Sequence, residues 1–178
     1  MIEKTVAGFG SQAGVVARPA YEETAGVPKF HYDVVCIGPD GVEKWRDEFT
    51  NLVTTAGKTD IVDKYFKGSA YTAAWYLGLK GTGTAAAGDT LATHAGWSEV
   101  NPYSGNRPAI TFGTTSGGSN TATAVTYTIN ASATVAGAFI ASANTGTAGT
   151  LYSAGDFAAS RSVANGDSLQ VSVTVSVA

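Results

Sequence analysis

The hydrophobic pattern is clearest near the C-terminus. Leu169, Val171, Val173, Val175 and Val177 alternate with Ser, Gln and Thr. A period of two places each set on one face, so 168–177 reads as a half-buried strand. The turn into it is Asn165-Gly166-Asp167. A second clear pattern opens at Phe30, where Phe30, Tyr32 and Val34 alternate with His31 and Asp33 before an apolar run to Ile37. Gly38-Pro39-Asp40-Gly41 is a strong turn, and Val42–Val53 resumes as a strand carrying Trp45, Phe49 and Leu52. Together these form a β-hairpin. Shorter strands are expected at 73–79, 97–100, 108–115, 122–129 and 134–141, with a Gly/Ala/Thr loop over 81–96.

One helix is predicted, at about 59–67. Thr59 is its expected N-cap, Asp60 suits the positive helix start, and Gly68 fits the position after its end. Asp60–Lys64 and Asp63–Lys67 are spaced for ion pairs on one face, with Ile61, Val62, Tyr65 and Phe66 on the other. Many short strands and one short helix predict an all-β fold: a jelly-roll-like antiparallel β-sandwich in a single domain, 30–178. Residues 1–29 have no period and are interrupted by Gly8, Gly10, Gly14, Pro19, Gly26 and Pro28. They read as an extended N-terminal arm, which at full extension reaches up to about 95 Å. Phe9, Val15, Val16 and Tyr21 are the expected anchors of this arm on a neighbouring subunit.

Charge changes this picture. Residues 1–80 hold 9 Lys/Arg and 10 Asp/Glu. Residues 81–178 hold only Arg107, Arg161, Asp89, Glu99, Asp156 and Asp167. A free soluble domain carries a more charged surface, so the C-terminal half suits close approach to protein neighbours. The net charge of −3 offers no basic field for nucleic acid or an anionic membrane. No stretch has the length of a membrane helix, and the N-terminus has no secretory apolar core, so folding in a host cytoplasm is expected. Cys36 is the single cysteine; it sits in an apolar run and reads as a small core residue.

Chemical motifs are weak. Gly8–Ala13 and Gly81–Ala86 both fit G-x-G-x-x-A, but Pro19 and Gly26 follow the first and Gly88 the second, so neither opens the helix that a dinucleotide needs. His31 and His94 read as surface or packing residues. Asp89 with His94, or Asp156 with Asp167, lack metal-ligand spacing, and Asx turns account for the second pair. No catalytic residue, cofactor or metal is therefore assigned, and the chain is expected not to be an enzyme. Trp75, Trp97, Tyr103 and Tyr152 are candidates for a sugar platform, with core packing the plainer alternative.

Four stretches carry a resemblance: His94–Glu99, Tyr103–Pro108, Gly149–Phe157 and the closing strand after Arg161-Ser162-Val163. In these the chain from about residue 30 resembles a family of small virion proteins of tailed bacteriophages. The resemblance implies a jelly-roll capsid decoration (cement) protein, often a homotrimer, on the capsid surface of the virion. Its partner would be the major capsid protein, whose assembled shell it would stabilise by binding. The alternative is a tail or fibre component, or a carbohydrate-binding receptor-recognition module. The resemblance supplies no functional residues.

Overall fold

The computed structural model describes residues 28–71 and 73–177. Residues 1–27 of the proposed arm, with its anchors Phe9, Val15, Val16 and Tyr21, lie outside the described residues, and Lys29 already belongs to the first strand. The strands form two antiparallel sheets packed face to face, so the all-β sandwich expected from the sequence is the fold.

The first sheet contains β1 (Lys29–Ile37), β2 (Glu43–Thr50), β6 (Ser119–Thr121), β7 (Val125–Thr128) and β10 (Ser168–Ser176). Its order is β2-β1-β10-β6, with β7 also pairing β10. The first and last strands thus lie side by side, Lys29 opposite Ser176 and Ile37 opposite Ser168. The alternation read in each decides its inner face. Tyr32, Val34 and Cys36 meet Leu169, Val171 and Val173, all within 1% of complete burial. Tyr32 stacks on Phe49 with ring centroids 4.5 Å apart.

The second sheet has the order β3-β9-β8-β4-β5: β3 (Leu52–Val53), β9 (Leu151–Val163), β8 (Ala133–Ala141), β4 (Tyr76–Gly83) and β5 (Trp97–Glu99). The strand expected over Val42–Val53 is really two. The chain leaves the first sheet at Asn51 and joins the second as β3. Asn51 is held there by donating to Tyr32 Oη at 2.9 Å. Likewise 73–79 shifts to 76–83, and 108–115 contributes only isolated bridges at Ala109 and Phe112.

The helix begins earlier than expected. It runs as α1 (Thr55–Ile61), continued by a π-helical turn, Val62–Phe66. The N-cap is Thr54, not Thr59: Thr54 Oγ1 accepts from Gly57 N at 3.0 Å and donates to Leu151 O at 2.5 Å. Thr59 lies inside the helix and donates to Thr55 O. Gly57 lies in the first turn of this helix despite its low helical propensity. It is needed because a Cβ there would sit 2.3 Å from Tyr152 O on β9. Of the two expected ion pairs, Lys67–Asp63 forms at 3.5 Å, whereas Lys64 donates to Ala70 O. Gly68 closes the helix at φ +73°, as expected.

The sandwich also has a third layer. Loop 84–96 folds over the outer face of the second sheet. Leu91 and Trp97 pack there on Phe139, Ala141, Leu151 and Ala154 as a separate buried cluster. Strand β8 therefore buries both faces: Val135, Ala138 and Ile140 inward, Phe139 and Ala141 outward. Such a strand loses its alternation.

Candidate functional site

The six charges of the C-terminal half are all engaged inside the domain. Arg107 makes a forked bond to Glu99, with Nε to Oε1 at 2.8 Å and Nη2 to Oε2 at 2.6 Å. It also donates to the carbonyls of Ala143 and Gly146 and lies over the Phe139 ring. Arg161 on β9 reaches Asp47 on β2 at 3.0 Å, a latch between the two sheets. Asp167 accepts from Lys44 at 2.6 Å, and Asp156 pairs with Lys80 at 2.6 Å. Asp89 accepts from Trp97 Nε1 and Ala86 N, both at 2.8 Å. The scarcity of charge in this half is therefore more complete at the surface than in the sequence.

Cys36, Asp167, His94 and Asp89 all take structural roles. Cys36 is buried beside Asp167, and burial, with the neighbouring Asp167 charge, pushes its thiol up to about 11. It is protonated at neutral pH and unsuited to attack. Burial works to raise the Asp167 pKa too, but hydrogen bonds from Lys44 and Ala164 N outweigh it and the net shift is downward. Asp167 is the turn-former read from the sequence, since Ala164 N donates to its carboxylate at 2.8 Å. His94 stacks on Trp97 at 4.0 Å while its Nδ1 meets Trp97 O at 3.0 Å. His94 and Asp89 thus both serve to hold Trp97. Gly81–Gly83 end β4 and lead into a loop, so the phosphate-binding helix of a dinucleotide site does not follow them. Among the described residues, one ligand-like cluster has no counterpart in the sequence analysis: His31, Asp33 and Glu48 bring ligand atoms within 4.8 Å of one another on the outer face of β1 and β2. The β1–β2 register makes the cluster by setting Asp33 opposite Glu48, and exposed acidic groups of this kind are common without a metal.

The four aromatic residues considered as a sugar platform separate into three places. Trp97 lies under the loop layer and Tyr103 in the sandwich, 4.7 Å from Tyr127. Trp75 and Tyr152 come together edge to face at 4.8 Å. They line a groove of about 300 Å³ between the helix and the sandwich edge, with Phe30, Ile61, Tyr65 and Tyr71. Its polar groups are largely engaged: Trp75 Nε1 donates to Tyr71 Oη at 3.1 Å, and Lys64 to Ala70 O at 2.9 Å. Burial holds the Tyr152 hydroxyl neutral by raising its pKa. Beside the groove, Tyr65 and Phe66 stand 82% and 76% exposed with rings 5.1 Å apart, and Val62 and Tyr71 are exposed nearby. The periodicity places Ile61, Val62, Tyr65 and Phe66 on one helical face. Of these, Ile61 packs against the core, whereas Val62, Tyr65 and Phe66 form an exposed, largely aromatic patch on a charge-poor domain. Large apolar groups clustered at a surface mark contact sites.

Among the described residues, no helix is long and apolar enough to cross a membrane. A family model described as "Podophage GP4 fiber I protein gp80" matches residues 52–176, from β3 to the end of β10. No curated protein matches the chain.

Proposed function

The chain belongs to the podophage GP4 fiber I protein gp80 family and is a structural protein of a phage virion; on that premise we propose that it is a non-enzymatic subunit of a virion fibre. The family match carries this reading, because it spans the second sheet, the helix and strands β6, β7 and β10 of the first sheet. Two features of the domain support it. The charges of residues 81–178 are engaged internally, so a neighbouring subunit can pack there with little charge to desolvate. The Tyr65–Phe66 patch supplies the aromatic side chains that anchor protein contacts. In this reading the patch meets a neighbouring copy within a closed assembly such as a homotrimer, with the N-terminal segment as an additional tether.

The fibre reading takes precedence over capsid decoration because the family description names a fibre. The groove is a weaker candidate for a saccharide, since most of its lining is apolar and its Trp75 and Lys64 donors are already engaged. A ligand rich in hydroxyls needs partners for each of them. The test is to locate the protein on intact particles by electron microscopy with a labelled antibody. Label on fibres is expected. Label over the head shell would refute the fibre assignment and favour decoration.

A further inference from the structure

Lys80 is the most unusual ionisable group of the domain. Its side chain is 0% exposed, beneath the third layer, with Nζ 5.7 Å from the Trp97 ring. The backbone carbonyls of Gly81 and Gly83 accept from Nζ. On its other side stands Asp156. The register explains how they meet: Lys80 on β4 and Asp156 on β9 both pair with Gly137 on the intervening strand β8. Gly137 has no side chain to separate them. A Cβ there would also lie 2.0 Å from Gly155 O and 3.2 Å from Asp156 Cα.

The contact is not an ordinary ion pair. Nζ lies 2.6 Å from Asp156 Oδ1, yet this buried oxygen has no hydrogen-bond partner of acceptable geometry. The nitrogen thus approaches the carboxyl group at very short range but outside the angles of a hydrogen bond. An amine and a carboxyl group are thus held in contact at fixed short range, the proximity that intramolecular bond formation needs.

We propose that Lys80 and Asp156 form an intramolecular amide bond that ties β4 to β9 across β8. Within the pair, the Lys80 ammonium passes one proton to the Asp156 carboxylate. The neutral Nζ then attacks Cγ, and the C–N bond forms. The Cγ–OH bond breaks, and the hydroxyl leaves with a proton from the nitrogen as water. One ammonium and one carboxylate give one amide and one water, and nothing is oxidised or reduced. Asp156 is 37% exposed, which gives the water an exit. Fixed proximity replaces the activation that an amide bond needs in solution. The bond would constrain the unfolded chain as a disulfide does, in a protein whose single cysteine cannot supply one.

The experiment is intact-mass spectrometry of the purified full chain, followed by peptide mapping. The expected mass is lower than the sequence mass by one water. The map should hold a branched peptide joining the segments that contain Lys80 and Asp156. Lys80→Arg keeps the positive charge but cannot form this amide, so it should run at the full mass with a lower melting temperature. Wild-type protein at full mass after folding and prolonged incubation would overturn the proposal. So would a water loss that persists in Lys80→Arg, because it would belong to another site such as the Asp40-Gly41 turn.

Discussion

Replacing Arg107 should expose how strongly the domain depends on its internal charges. Arg107 is 6% exposed and makes four hydrogen bonds: two to Glu99 and one each to Ala143 O and Gly146 O. Arg107→Met keeps much of the side-chain stem over the Phe139 ring but removes every donor. Glu99 is then left without its partner, and two carbonyls of the 143–146 loop lose theirs. Breaking a buried pair from one side costs about 3–5 kcal/mol. Glu99 is 21% exposed, so water partly replaces the guanidinium and the lower end applies. The expected loss is about 3 kcal/mol, a fall of roughly 6–12 °C in Tm for a domain of this size. Urea unfolding followed by tryptophan fluorescence measures it. Glu99→Gln combined with Arg107→Met should cost less than the two single changes added together, by about 1 kcal/mol or more. A loss below about 1 kcal/mol for Arg107→Met, or strict additivity of the pair, would refute the assignment of Arg107 as a structural clasp.

Two other outcomes test the packing and the electrostatics. Gly78→Ala would place a Cβ 2.1 Å from the Phe139 ring, so it should destabilise by about 1–3 kcal/mol, and adding Phe139→Leu should recover part of that loss in the same urea assay. Asp167 has a folded pKa lowered below its unfolded value, so its stabilisation is present above the unfolded pKa and is lost as pH falls through the folded one. Wild-type protein should therefore lose stability as pH drops below about 4, with Lys44→Met less stable at pH 7 and showing a shallower acid-dependent loss. Parallel urea midpoints for the two proteins across pH 7 to 3 would rule out the Lys44–Asp167 pair as the cause.

The sequence by itself determined the elements whose two faces have different surroundings. β1 and β10 have the core on one side, so apolar and polar residues alternate and both strands are legible. The 38–41 turn and the Gly68 helix stop were legible for a related reason: their backbone geometry is met by residues within the same few positions. The uneven distribution of charge, and with it a role in assembly, could also be read directly. What tertiary structure decided were the features whose partners are distant in the chain. β9, the longest strand, was not predicted as a strand, because Ala154 and Leu151 pack outward under the third layer while Tyr152 and Phe157 pack inward, and small residues fill the rest. The true helix start depends on a carbonyl of Leu151 that Thr54 reaches only after the sheets pair. The division of the aromatic residues between core, third layer and groove had the same origin. So did the meeting of Lys80 with Asp156: it requires β4 and β9 to flank the same glycine, and no local periodicity carries information about which strand becomes the neighbour of which.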